Sequence, residues 1–463
     1  VLFLYARNVR QVPPQQALAA MAVSLTVAIL AWALLGLFVG RSGKRSLILF
    51  LFLLFFHGYG LYFSLVAGWL PVAARPLLSH GIALLPPLCM WLALSAAVWR
   101  SRRDFAIFNR VLQLAVMALV AWNLFGVLGH AARERASSDL PGQESAPGQA
   151  SSADAPDIYC FVLDEFAALE SVRSVFAYDN SALADSLRRL GFFVARDSRS
   201  RFRLTEPAIA DILNLGEWPA GADPFSLVRR NAVASFLKRR GYRIIEFPVL
   251  PALFMETADL RFQYSLGRAS IFFDDFYRTL FEATLLRVLP DVWKSRKSDL
   301  SRFYRERVLH VFARLPELVK SPGPKFVFIH LYSPHEPFVF DTQGGTVDAA
   351  HAWDHADRRY YLGQYRFVSR KIAETAARIL RDSARPPVII IQSDHGYRGP
   401  LRRGERGNPL PPDEMVRVFN ALYLPGVERE RIDASLSSLN NFRLVFNLYF
   451  GTRYPLLKNP AGG

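Results

Sequence analysis

The chain of 463 residues is 51% hydrophobic and carries 56 Lys and Arg against 40 Asp and Glu, a formal charge of +16. A mean hydropathy of +0.13 excludes intrinsic disorder. The two cysteines, Cys89 in an apolar run and Cys160 in a strand-like run, exclude a disulfide framework and a four-cysteine zinc module.

Four apolar stretches occupy residues 1–131, at approximately 17–39, 47–70, 77–99 and 111–131. Each reaches the ~20 helical residues needed to cross a hydrocarbon core. His57, His80, Pro86 and Pro87 lie within or beside these spans, where polar and kinking residues mark either a site or a helix contact. The opening run Val1-Leu2-Phe3-Leu4-Tyr5 reads like the end of a further span, a fifth helix clipped away.

Lys and Arg accumulate in cytoplasmic loops. Arg41, Lys44 and Arg45 fill one loop, and Arg100, Arg102, Arg103 and Arg110 fill the loop two crossings later, whereas the intervening loop carries only Arg75. Both basic loops are therefore expected in the cytoplasm, and everything after about residue 132 on the periplasmic or extracellular side. A nucleic-acid partner is excluded there, so the basic surface points instead to anionic headgroups or phosphorylated glycans.

Residues 132–156 are rich in Ser, Ala, Gly, Gln and Pro without apolar period and read as a flexible linker. From residue 157 to 463, short apolar runs alternate with amphipathic segments, the pattern of an α/β domain with a mainly parallel sheet flanked by helices. Buried strands are predicted at 158–163, 242–247, 325–331, 387–392 and 419–424, and helices at 181–190, 232–240, 301–319, 357–381 and 440–450. The stretch 251–297, rich in Phe, Leu and Arg, reads as an insertion facing substrate or the membrane surface.

Three predicted strands end in residues suited to metal or phosphate chemistry, and ligands of open α/β sheets bind outside the carboxyl ends of strands. They run into Asp164-Glu165, into Ser333-Pro334-His335-Glu336-Pro337 and into Ser393-Asp394-His395-Gly396. An Asp-His pair offers a hard oxygen and an imidazole nitrogen, and a carboxylate from a second strand completes a site for Zn²⁺ or Mn²⁺. Asp164, Asp394 and His395 are the candidate ligands. Thr205 opens the segment Thr205-Glu206-Pro207-Ala208-Ile209, which reads as a helix start with Thr205 as N-cap. The same position suits a nucleophile, because a helix N-terminus collects an anionic phosphoryl group. Glu165, Arg201, Arg203 and Arg398 are lesser candidates for substrate contact. The cluster Arg398, Arg402, Arg403 and Arg406 reads either as the rim of the site or as a glycine-rich loop.

These residues resemble the alkaline phosphatase and sulfatase superfamily in its membrane-anchored bacterial branch. The matches are PDIYCFVLDE at 156–165, Thr205, IHLYSPHEPF at 329–338 and IIIQSDHG at 389–396, in the order the superfamily implies. The resemblance implies an alkaline-phosphatase-like α/β domain preceded by an all-α transmembrane bundle, as in lipoteichoic acid synthases and phosphoethanolamine transferases. It further implies a multi-pass protein of the bacterial inner membrane, with its catalytic domain in the periplasm. Asp164, Thr205, Asp394 and His395 would hold one divalent metal, Zn or Mn, with Thr205 as nucleophile and His335 stabilising phosphoryl oxygens or protonating the leaving group. Sulfatases carry Cys-x-Pro-x-Arg where this chain has Thr205-Glu206-Pro207-Ala208-Ile209, and threonine cannot become formylglycine. No histidine follows His395, which implies one metal rather than two. Three readings follow: a phospho-group transferase on envelope lipid or glycan, a phosphate or sulfate ester hydrolase, and a catalytically silent glycan-binding protein. Donor, acceptor and oligomeric state are unknown at this level.

Overall fold

The computed structural model describes residues 1–9, 12, 14–70, 80–138, 155–219, 221–249, 253–264, 275–288, 290–354, 357–399 and 412–460. Among them the helices begin with α1 (Leu2–Arg7), α2 (Pro14–Leu35), α3 (Ser42–Trp69), α4 (His80–Arg100) and α5 (Ala106–Ser138). There follow α6 (Leu169–Phe176), α7 (Ser181–Arg189), α8 (Thr205–Leu213), α9 (Pro224–Arg229) and α10 (Ala232–Arg239). The last are α11 (Asp275–Ala283), α12 (Pro290–Lys320), α13 (Arg358–Asp382) and α14 (Asn441–Phe450). The chain divides into two compact units, Val1–Leu140 with Leu266–Arg296, and Pro141–Ser265 with Lys297–Gly463.

In the first unit α2, α3, α4 and the Ala106–Gly129 part of α5 are long and apolar enough to cross a membrane. They expose large apolar side chains such as Leu30, Leu61, Trp122 and Phe125. Water would penalise such faces and a hydrocarbon solvent does not. The beginning of the third predicted span, 77–79, lies outside the described residues, as does most of the predicted linker, 139–154. At the basic end Lys44 Nζ donates to the carbonyls of Trp99 (2.9 Å) and Ser101 (2.6 Å), satisfying acceptors at the end of α4. The stretch 251–297, read as an insertion facing substrate or the membrane surface, is divided, because 266–296 groups with the helical unit. Phe276 of α11 is buried with Tyr5, Val12, Ala17 and Ala20, and Tyr277 donates to the Gln16 carbonyl at 3.2 Å.

The second unit is built on β1 (Ile158–Leu163), β2 (Phe193–Val194), β3 (Ser198–Arg199), β4 (Arg243–Phe247), β5 (Leu260–Arg261), β6 (Lys325–Leu331), β7 (Val388–Ser393), β8 (Arg417–Val418) and β9 (Asn420–Tyr423). Seven form one sheet in the order β2-β9-β7-β1-β6-β4-β5, and β3 pairs with β8. The run from β7 to β5 is parallel, and β9 is antiparallel to both its neighbours. Central strands buried on both faces need continuous apolar sequence, which IYCFVL and KFVFIHL largely supply. One face, carrying Tyr159, Phe161 and Leu163, packs against α6, α7, α12 and α13. The other, carrying Ile158, Cys160 and Val162, packs against α8, α9, α10 and α14. This is the mainly parallel, helix-flanked α/β architecture expected. Helix α12 starts well before the predicted 301, because its first turns, rich in Lys, Arg and Asp, hide their helical register from an apolar-periodicity reading.

Candidate metal and phosphoryl site

Parallel pairing brings three strand ends together. Leu163 of β1 is in register with Leu331 of β6 and with Ser393 of β7. The next residues, Asp164 and Asp394, therefore emerge side by side at the carboxyl edge. His330 is in register with Val162, so Val162, His330 and Asp164 share one face of the pleat. Helix α8 packs on that same face through Ile209, Ala210, Ile212 and Leu213, which carries its first residue, Thr205, to the same place.

Ligand atoms of Asp164, Asp394 and His395 all lie within 4.8 Å of one another, and all three residues are buried. His395 Nε2 stands 3.6 Å from Asp164 Oδ1, 3.5 Å from Asp394 Oδ2 and 3.3 Å from Thr205 Oγ1. The ring's other nitrogen, Nδ1, lies 2.9 Å from the Gly396 carbonyl, which can only accept. The proton thus sits on Nδ1 and leaves the Nε2 lone pair facing the cluster. Asp394 Oδ1 accepts from the backbone N–H of Glu165 (3.1 Å) and His395 (2.7 Å), which aims Oδ2 inward. Gly396 is required by close approach: a Cβ there would lie 2.2 Å from the Glu414 carbonyl oxygen and 2.6 Å from that of Arg417.

Thr205 is not the N-cap that the sequence led us to expect. Leu204 holds that position, and the Thr205 hydroxyl turns to His395. The sequence reading also passed over His330, whose Nε2 lies 3.4 Å from Asp164 Oδ2. A histidine between Ile329 and Leu331 in an otherwise apolar strand was the available signal, since a buried imidazole needs a polar partner.

His335 follows β6 in a turn fixed by the buried Gln364 of α13. Gln364 Nε2 donates toward the carbonyls of Pro334 (3.2 Å), His335 (2.9 Å) and Pro337 (3.3 Å), and Oε1 accepts from Val339 (2.7 Å) and Phe340 (3.2 Å). His335 Nδ1 donates to the Glu336 carbonyl at 2.7 Å, and Nε2 accepts from the Arg398 guanidinium. Glu165 is buried with a positive φ of 61°, and its Oε1 accepts from the Arg398 N–H at 2.8 Å. The Glu165 carboxylate therefore holds Arg398 in place. Arg203 stands in the turn two residues before Thr205. Arg201 pairs with Asp211 at 3.5 Å on the Thr205 helix. Arg402, Arg403 and Arg406 lie outside the described residues.

Burial by itself raises the Asp164 carboxyl, but His335, His330 and His395 outweigh it and hold the group below the ordinary carboxylate range. For His335 burial opposes protonation, yet Asp164 and Glu165 prevail and raise its pKa. Both oxygens of Asp164, Asp394 Oδ2 and His330 Nε2 are buried without hydrogen-bond partners among the described residues. Buried carboxylate oxygens that accept no hydrogen bond leave their lone pairs open to a cation, so this donor set of carboxylate oxygens and one imidazole nitrogen fits a divalent ion such as zinc or manganese.

No family model matches the chain, and no curated protein matches it by sequence. Solved structures similar to it include the C-terminal periplasmic domain of EcEptC from Escherichia coli in complex with zinc. That match has a TM-score of 0.43 and 14% identity over 66% of this chain and 86% of that one. Another is the integral membrane lipooligosaccharide phosphoethanolamine transferase A from Neisseria meningitidis, with a TM-score of 0.41 and 13% identity over 85% and 79% of the two chains. A third is the 2-O glycosaminoglycan sulfatase BT1596, with a TM-score of 0.37 and 11% identity over 65% and 72%.

Proposed function

We propose that this chain is a membrane-anchored, divalent-metal-dependent transferase or hydrolase of phosphoric esters, acting on envelope lipid or glycan through Thr205. The observation that carries the reading is that the half-buried Thr205 hydroxyl meets His395 Nε2 beside both oxygens of Asp164 and Oδ2 of Asp394, which are buried and have no hydrogen-bond partner among the described residues. Asp164, Asp394, His395 and Thr205 would hold one ion, which when bound lowers the pKa of a hydroxyl and neutralises developing negative charge.

Thr205 Oγ1 attacks phosphorus, its bond to hydrogen is lost to solvent, and the bond from phosphorus to the leaving alcohol breaks, leaving a phosphothreonine. His335, taking up a proton on Nε2 as Arg398 turns from that nitrogen to the substrate, gives the leaving alkoxide that proton. Arg398 directs its charge at the non-bridging oxygens, and Glu165 holds it there. Arg203, two residues ahead of Thr205, would make a further substrate contact. Water, in a hydrolase, or an acceptor hydroxyl, in a transferase, then displaces Thr205 from phosphorus.

The test is hydrolysis of bis(p-nitrophenyl) phosphate by the full chain in nonionic detergent, with Zn²⁺ or Mn²⁺ added after chelation. Turnover should return with metal and fall by about 10³-fold or more in Thr205→Ala. A wild-type protein that binds no metal by elemental analysis and turns over nothing would overturn the reading. Supplying an acceptor alcohol separates transfer from hydrolysis.

A further inference from the structure

A second polar cluster lies in the helical unit, at the end of α3 and α4 opposite the basic loops. Tyr59, buried on α3, places its hydroxyl 3.0 Å from Nδ1 of His80, the first residue of α4. The His80 ring stacks on Phe63 with centroids 4.1 Å apart. Arg287, in the short turn Leu285–Val288 that follows α11, lies over the same Phe63 ring at 4.8 Å. Its Nη1 donates to Ser64 Oγ at 3.1 Å and to the Gly60 carbonyl at 3.4 Å.

The fit between the turn and α3 is built in. A Cβ on Gly60 would lie 2.1 Å from the Glu282 carbonyl oxygen and 2.6 Å from Ala283 Cα, so only glycine lets residues 282–288 reach the helix. The guanidinium's two hydrogen bonds go to neutral oxygens, and among the described residues no carboxylate lies within ion-pair distance of it. Both bonds leave from Nη1, so Nε and Nη2 remain for a further acceptor. A cation set against long apolar helices calls for an anion. At this level of a bilayer the anion always at hand is a lipid phosphate.

We propose that Arg287, with Ser64 and the Tyr59–His80 pair, binds the phosphate of a phospholipid in the leaflet opposite the basic loops. The site is built from residues of the helical unit alone, and its test involves no turnover.

The experiment is native mass spectrometry of the full chain, delipidated in nonionic detergent and mixed with dioleoyl phosphatidylglycerol or with dioleoylglycerol, which has the same chains and no phosphate. The wild type should retain the phospholipid and not the diacylglycerol, and Arg287→Gln should lose about fivefold or more of the adduct. Millimolar inorganic phosphate should not displace the lipid; displacement would assign the site to a free anion and overturn the lipid proposal. Equal adducts in wild type and Arg287→Gln, or equal retention of diacylglycerol, would also overturn it. Should Arg287→Gln fail to fold, Ser64→Ala decides: a weaker adduct at unchanged melting temperature supports the site, and an unchanged adduct overturns it.

Discussion

At the scale of single residues, His330 and Asp211 show how a buried polar group either supports the candidate site or works against the fold. His330 Nε2 faces Asp164 Oδ2 at 3.4 Å, so it orients a proposed metal ligand. His330→Ala should weaken metal affinity by about 10- to 100-fold, read by competition with a chelating dye, with the melting temperature as control for folding. Asp211 sits on α8 with Thr205. Burial raises its carboxyl, although Arg201, Trp218 and Arg443 act in the opposite sense. A carboxyl whose folded pKa is raised favours the fold at pH below its unfolded value, and that contribution is lost as the pH rises through the folded value. At neutral pH the ionised group is therefore a cost. Asp211→Asn, whose amide oxygen can still accept from Trp218, should match or exceed the wild type in melting temperature at pH 7. It should lose that advantage as the pH falls to about 4. A large loss of stability at pH 7 would show that the Arg201 and Arg443 charges outweigh burial.

At the scale of elements, the site is a product of strand ends held by one helix. Gln364 serves five backbone groups of the 334–340 turn from inside α13. Gln364→Leu leaves them unpaired and should destabilise the second unit by about 3 kcal/mol or more, with faster hydrogen exchange confined first to the His335 turn. Gly396→Ala drives a Cβ into the Glu414 and Arg417 carbonyls. It should disturb Asp394 and His395 more than global stability, read as lost metal binding at a modest drop in melting temperature. Much of this level was legible beforehand. The strands were visible because burial on both faces demands unbroken apolar runs, and Asp164, Asp394 and His395 were visible because each follows such a run directly. The orientation of Thr205 was only half legible: a threonine at a helix start is ordinarily a cap, and its turn toward His395 depends on α8 lying over β1.

At the scale of the whole molecule, residues 266–296 belong with the helical unit although they lie between strands of the α/β unit in sequence. Phe276 is buried there, with Tyr277 and Leu280 packed against the same cluster. A truncation beginning at residue 157 strips these side chains of their partners. It should self-associate in aqueous buffer, and replacing 266–296 by a short polar linker should restore a monodisperse species in analytical ultracentrifugation. Equal behaviour of the two truncations would count against the packing seen for α11.

Local information by itself determined the apolar helices, their basic ends, the alternation of strand and helix, and the residues that leave strand ends, because each depends on a run of neighbours along the chain. Tertiary structure alone decided which of those ends meet. The register of β6 and β7 against β1 brings Asp164 beside Asp394 and His330, and packing on the β1 face brings Thr205 within 3.3 Å of His395. The approach of Glu282 and Ala283 to α3 likewise rests on a glycine at position 60 meeting a backbone more than two hundred residues away. Such contacts carry no periodic signature, since the residues that make them are chosen by close packing and by the need of buried polar groups for partners.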